Sequence, residues 1–304
     1  MPNLKDAAWY GAGLSREATG GNFYYVDGNN GLDTNPGTDP AYPLLTITYA
    51  LSLCVDDHDD YIIVIDYPET HPGGDEDSPI NINKNRVHVL GANSPYGRGD
   101  QQQYLCTPNV AAPVFEVSAR WVEIAYFKLA GGTLFGCILL SGAIENKGLA
   151  IHHCQFGEKI NGTAGPPTYG IDCLTIGCGN WLYVGDCQFY ETILSHGIVM
   201  YNPAQVRIER NMFSQVGGDG INFVGQAGYP IVADNYFACS ADTAGKGINV
   251  TNAAGALQGG FFANNMANWS KGDMTQVPWV DPDAGVAKNA WMGNMLGITL
   301  THPA

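Results

Sequence analysis

The chain has 304 residues, only 14% of them charged, with 39 glycines, 17 prolines and a net charge of −15. That length can bury a sizeable core, and the acidic balance excludes a nucleic-acid groove, which needs clustered Lys and Arg. Low charge with abundant Gly and Pro predicts many short strands joined by turns, not long amphipathic helices. No apolar run reaches the roughly 20 residues of a membrane span, so no membrane insertion is expected.

In chain order, MPNLKDAAWYGAGLS carries no apolar core of the length a secretion signal needs. Residues 1–22 read as an arm, with Trp9 and Tyr10 among small residues. Residues 24–51 open with a Gly/Asn/Asp/Pro cluster, a long turn region. Its Asp27, Asn29, Asp33, Asn35 and Asp39 offer oxygens for calcium, but their order does not match an EF-hand loop. Turn formation explains them instead. Thr46 can cap a short helix, because Ile47, Ala50, Leu51 and Cys54 fall on one face. YIIVID (61–66) and VHVLGA (87–92) read as buried strands, with the acidic PETHPGGDEDSP as a surface loop between them.

From about residue 110 the chain repeats. IAYFKL, IHHCQF, VGDCQF, IERNMF, VADNYF, FANNMA and WMGNML superpose, with Val122 taken as the leading position of the first. Their fourth position is then Ala125, Cys154, Cys187, Asn211, Asn235, Asn265 and Asn294, at intervals of 24–33 residues. Their sixth is Phe127, Phe156, Phe189, Phe213, Phe237, Ala267 and Leu296. A second motif alternates with it, starting at Gly136, Gly170, Gly197, Gly220 and Gly247. Such a period, with two or more strands per repeat, means a solenoid whose turns bury their apolar faces by stacking. Gly before Ile fits a bend with positive φ or a close approach. Recurrent Asn fits a tight αL turn whose amide bonds to the Asn one coil away. Ala and Cys in the early coils predict looser corners there.

The alternation of Gly-Ile-x-x with Ile-x-x-Asn-x-Phe resembles the right-handed parallel β-helix of pectin-lyase-like proteins. YVDGNNGLDTNPGT…PLLTITYAL resembles the lead-in of many of them, where a short amphipathic helix caps the first coil. The resemblance spans about residues 23–300. It implies an all-β, single-stranded right-handed solenoid, with an arm (1–22), a cap (23–60) and coils over about 61–300.

His152, His153 and Cys154 in a row suggest a metal site. Neighbours on a strand point to opposite sides, however, and the spacing of zinc ligands is missing; no metal and no cofactor is assigned. Cys154 and Cys187 stack in adjacent coils, as a disulfide or as small buried thiols. With no CxxC pair, the eight cysteines read as buried side chains and not as a disulfide framework.

The row before the ladder, His153, Asp186, Arg210, Asp234 and Asn264, predicts a charge ladder, with Asp186 and Arg210 as candidate glycan contacts. Asp172 and Asp219 are the other two, Asp219 and Glu191 being read as exposed turn residues. PTYGID (167–172) and SHG (195–197) faintly resemble two motifs of β-helix polygalacturonases. The paired aspartates of that family are absent, and Val199, Asn222 and Asn249 follow Asp172 in its row, so no catalytic residue is assigned. Ile231, Phe261 and Ala290 are apolar yet point outward, which suggests a subunit contact, or cover by a loop. Trp9 and Tyr10 are read as further interface residues.

Two functions follow. One is a non-catalytic structural or receptor-binding protein of a virus particle, resembling phage tailspike-like and head-decoration β-helices. It would be a homotrimer assembled in the host cytoplasm, joined to other virion proteins through its arm and able to contact a glycan. The other is an extracellular polysaccharide lyase or glycoside hydrolase acting on a surface or algal glycan.

Overall fold

The computed structural model describes residues 20–66, 79–92, 103–106, 112–131, 134–142, 148–157, 166–173, 179–190, 192–224, 227–239, 245–250, 257–269, 279–281, 289–296 and 299–300. Trp9, Tyr10 and Glu191 lie outside them.

Three long sheets of ten, nine and eight strands run the length of the described chain. We call them sheets one, two and three in the order a coil visits them. Ala150–His152 lies in sheet one, Gln155–Phe156 in sheet two and Tyr169–Cys173 in sheet three; Tyr183–Gly185 then returns to sheet one. There Ile151 pairs in parallel with Val184. The protein is a parallel β-helix, the fold expected. Met295–Leu296 and Thr299–Leu300 pair antiparallel at the end of sheet two. Phe23–Asp27, in the segment read as a cap, is itself the first rung of sheet one and pairs with Asp60–Asp66. The helix spans Ile47–Leu53; Thr46 Oγ1 accepts from the Tyr49 amide at 3.0 Å, and Ile47, Ala50 and Leu51 are buried. Asp27 and Asp39 each accept the backbone amide two residues on, the turn-forming role expected of them, whereas Asp33 accepts the Leu45 and Thr46 amides and so ties the turn region to the helix entrance.

Alternate side chains of each strand point inward and meet their counterparts one rung away. In sheet two, Phe156, Phe189, Phe213 and Phe237 stack with centroids 4.6–4.8 Å apart. The glycine row lies against these rings. A Cβ on Gly197 would sit 2.7 Å from both the Gly220 carbonyl oxygen and the Phe213 ring. Close approach, not positive φ, is therefore why glycine recurs there.

The corner between sheets one and two departs from expectation. The left-handed residue is not the ladder Asn but the one before it: His153 (φ 53°), Asp186 (56°), Arg210 (55°), Asp234 (57°) and Asn264 (53°). The kinked residue faces water, while the ladder side chain turns inward, where it can bond to adjacent coils. Asn235 Oδ1 accepts from the Asn211 amide and Nδ2, and Asn235 Nδ2 donates to Ile208 O and Asn265 Oδ1. The early corners are equally tight, since Tyr126 (φ 68°), His153 and Asp186 share the kink. The expectation of looser turns fails because the kink does not depend on the ladder side chain.

The register also corrects the first repeat. Ile124 pairs with Ile151 and Lys128 with Gln155, so IAYFKL superposes without an offset. Phe127, not Ala125, takes the ladder row. Val122 is buried as well, so the apolar pattern permitted either choice. Gly136 pairs with Tyr169, which puts Cys137 in the glycine row.

Cys154 and Cys187 occupy neighbouring coils, as Gln155 pairs with Gln188. Both are free and buried, as are Cys54 and Cys137. Cys173 is disulfide-bonded, against the reading of the cysteines as buried thiols. The coil period does not encode that bond.

Candidate functional site

The outer face of sheet three gathers two of the four predicted glycan contacts. Tyr169 pairs with His196, and the row continues through Asp219 and Lys246. Asp172 lies in the second outward row, preceded by Asn81, Glu116 and Leu139 and followed by Val199, Asn222 and Asn249 as expected. The sheet fixes all these positions on a rigid backbone.

Asp219 is only 6% exposed, so the reading of it as an exposed turn residue is wrong. Its carboxylate turns back onto the sheet to meet donors from its own coil and the next one. Oδ1 accepts from the Lys246 amide at 2.7 Å. Oδ2 accepts from Asn222 Nδ2 at 3.1 Å and Asn249 Nδ2 at 2.8 Å. The Asp219 amide donates to His196 Nδ1 at 3.0 Å. Asn222 Nδ2 faces Nε2 of the same ring at 3.2 Å, so a neutral ring can accept from only one of these two N–H groups. Burial lowers the His196 pKa although Asp219 opposes it, which keeps the imidazole neutral at pH 7. Tyr169 lies over His196, with ring centroids 6.0 Å apart. Burial and then the charge of Asp172 raise its phenol pKa, so it stays a donor.

Asp172 and Asp219 are two rungs and three strand positions apart, about 14 Å between Cα atoms at the usual sheet spacings, and the Asp219 carboxylate is bonded within its own coil and to the next coil, on the side away from Asp172.

Asp186 and Arg210 lie elsewhere, at the corner leaving sheet one. Arg210 Nε and Nη2 clasp the two Asp186 oxygens at 2.9 and 2.7 Å. Nη2 also reaches the Tyr183 hydroxyl at 2.7 Å, and Nη1 reaches Glu209 at 3.2 Å. Glu209 accepts from Arg207 as well. This is the expected charge ladder as far as Arg210; Asp234 is bonded instead by Asn264. Hydrogen bonding to Asp186 raises the Arg210 pKa despite its desolvation. The four candidates thus form two pairs on different faces. Ile231 and Phe261, each 39% exposed, and the exposed Ala290 form an outward row on sheet one. The segments read as a possible cover, 251–258 and the C-terminal segment, lie largely outside the described residues.

Tyr169, His196, Asn222, Lys246 and Asn249 were not assigned as contact residues from the sequence. The signal was present: the residue preceding each Gly-Ile, in YGI, HGI, DGI and KGI, is the outward row of sheet three.

No protein-family model and no curated protein sequence matches the chain. Among solved structures, a rhamnogalacturonan lyase matches with a TM-score of 0.53 and 14% identity, over 82% of this chain and 69% of that one. A GH136 lacto-N-biosidase from Eubacterium ramulus matches with a TM-score of 0.47 and 12% identity, over 90% of this chain and 55% of that one. What the chain shares with the rhamnogalacturonan lyase is the pectin-lyase-like parallel β-helix fold.

Proposed function

We propose that the protein binds a glycan along the outer face of sheet three and does not cleave it. The observation that carries this reading is the Asp219 carboxylate, which already accepts three protein donors while its own amide occupies His196 Nδ1. Acid–base catalysis needs a lone pair or a proton within reach of the scissile bond. Here those positions are spent on fixing the surface. The result is a rigid polar strip of phenol, imidazole, carboxylate and amide groups, suited to hydroxyl-rich ligands. The fold shared with a protein named for a polysaccharide supports a carbohydrate ligand by analogy.

A virion setting, a homotrimer and attachment through residues 1–22 belong to the same proposal. Their support is the sequence resemblance to tailspike-like and head-decoration β-helices. Sedimentation with purified particles tests the setting, and light scattering tests the trimer.

Calorimetric titration with neutral and uronate oligosaccharides tests the site. Binding weakened at least tenfold by Asp219→Asn and by Tyr169→Ala is expected. No saccharide binding, or binding indifferent to both changes, overturns the proposal.

A further inference from the structure

A second feature lies on the outer face of sheet one, unrelated to the sheet-three cluster. One or two residues before the sheet-one strand, the residue is left-handed over eight successive coils: Asp59, Arg86, Trp121, Gly148, Trp181, Gln205, Tyr229 and Gly259. A bulky side chain in that conformation costs about 1 kcal/mol or more. Trp121 and Trp181 accept that strain and remain 47% exposed, so they gain little from burial. They lean together over Gly148, with ring centroids 5.9 Å apart. A Cβ on Gly148 would lie 2.2 Å from the Trp121 ring.

Beside Trp121 opens a cleft of about 550 Å³, within the usual range for small-ligand sites. Gly148 and Ala150 leave its floor low, and Asp59, Arg86, His88 and Glu123 supply its polar wall. That wall is rigid. His88 stacks on Tyr61 at 4.2 Å, and its Nδ1 donates to Glu123 Oε2 at 2.6 Å. His152 Nε2 donates to Glu123 Oε1 at 2.7 Å. Arg86 clasps Asp59 through Nε and Nη2. His88 Nε2 is buried without a hydrogen-bond partner, 3.7 Å from Asp59 Oδ1.

We propose that this cleft is a second saccharide site, taking a neutral sugar with one ring face on Trp121. Its hydroxyls would meet the Asp59 and Glu123 carboxylates and the outer edge of Arg86. Neutral sugars fit because Asp59 and Glu123 outnumber the single Arg86, in a chain of net charge −15. A uronate would bring like charge into the cleft. This site stands whether or not sheet three binds a glycan.

Tryptophan fluorescence tests it, because the sheet-three cluster contains no Trp. The full chain is titrated with cellotetraose, maltotetraose, a β-1,4-galactotetraose and tetragalacturonate. Saturable quenching by at least one neutral tetrasaccharide is expected, at least tenfold tighter than by tetragalacturonate. Trp121→Ala, an exposed position, removes that quenching, and Ala150→Tyr abolishes binding by filling the floor with every polar group kept. Quenching unchanged in Trp121→Ala overturns the proposal, as does no quenching by any neutral sugar. Preference for tetragalacturonate overturns it too.

Discussion

Replacing Asn235 by Ala removes four hydrogen bonds from the middle of the ladder. Oδ1 accepts from the amide and the side chain of Asn211, and Nδ2 donates to Ile208 O and Asn265 Oδ1, each at 3.0 Å. Asn235 is 1% exposed and Asn211 2%, so water has no ready route to either. A buried amide left without an acceptor costs about 1–3 kcal/mol, and each other lost bond about 1 kcal/mol net. The expected loss is about 4 kcal/mol, a large share of the roughly 5–15 kcal/mol of a typical domain. Equilibrium urea unfolding measures it. Hydrogen exchange locates it, since the Asn211 amide should exchange orders of magnitude faster while the helix Ile47–Leu53 is unchanged. Repeat proteins can open locally, so the two readouts should be taken together. A loss below 1 kcal/mol with Asn211 still protected would refute the reasoning.

Other consequences follow from the same geometry. Cys187→Asn extends the ladder by one coil, because Asn211 already accepts from the Cys187 amide and the Cys187 thiol points toward Ile151 O at 3.8 Å; unfolding should show a gain of up to about 1 kcal/mol. Gly197→Ala drives a methyl into Phe213, which is itself held between Phe189 and Phe237. About 1–3 kcal/mol should be lost, whereas Gly228→Ala, whose nearest neighbour atom is 3.8 Å away, should be neutral or stabilising. Burial would raise the Glu123 pKa, but the hydrogen bonds from His152 and His88 outweigh it and hold the carboxyl at about 2, down from 4.5. A depressed folded-state value stabilises the protein above the unfolded value. That contribution, at most about 3 kcal/mol, is lost as pH falls from 4.5 through 2. Glu123→Gln should lower stability at pH 7 and flatten the acid limb between those values.

The inward rows were legible in the sequence because stacking constrains them at every coil. A residue that must touch its own counterpart one rung away repeats in kind, as Phe156, Phe189, Phe213 and Phe237 do. The first coil misled because Val122 and Ile124 are both buried, and only hydrogen-bond register separates them. Outward positions repeat in place but not in kind, since solvent asks no common size of them. Tyr169, His196, Asp219 and Lys246 share one row and no chemistry, so they look unrelated until the Gly-Ile that follows each is aligned. Trp121 and Trp181 were legible in the same way, as WVEI and WLYV at one register. The Cys173 disulfide was not legible, because a cross-link depends on where loops lie and not on the coil period.

The most direct test of the central claim is size-resolved mass spectrometry of the saccharide that binds best, after prolonged incubation with the protein. Binding without new chain ends, in wild type and in Asp219→Asn alike, is the predicted result. Shortened or unsaturated products that disappear in Asp219→Asn would contradict it and make the sheet-three face a catalytic site.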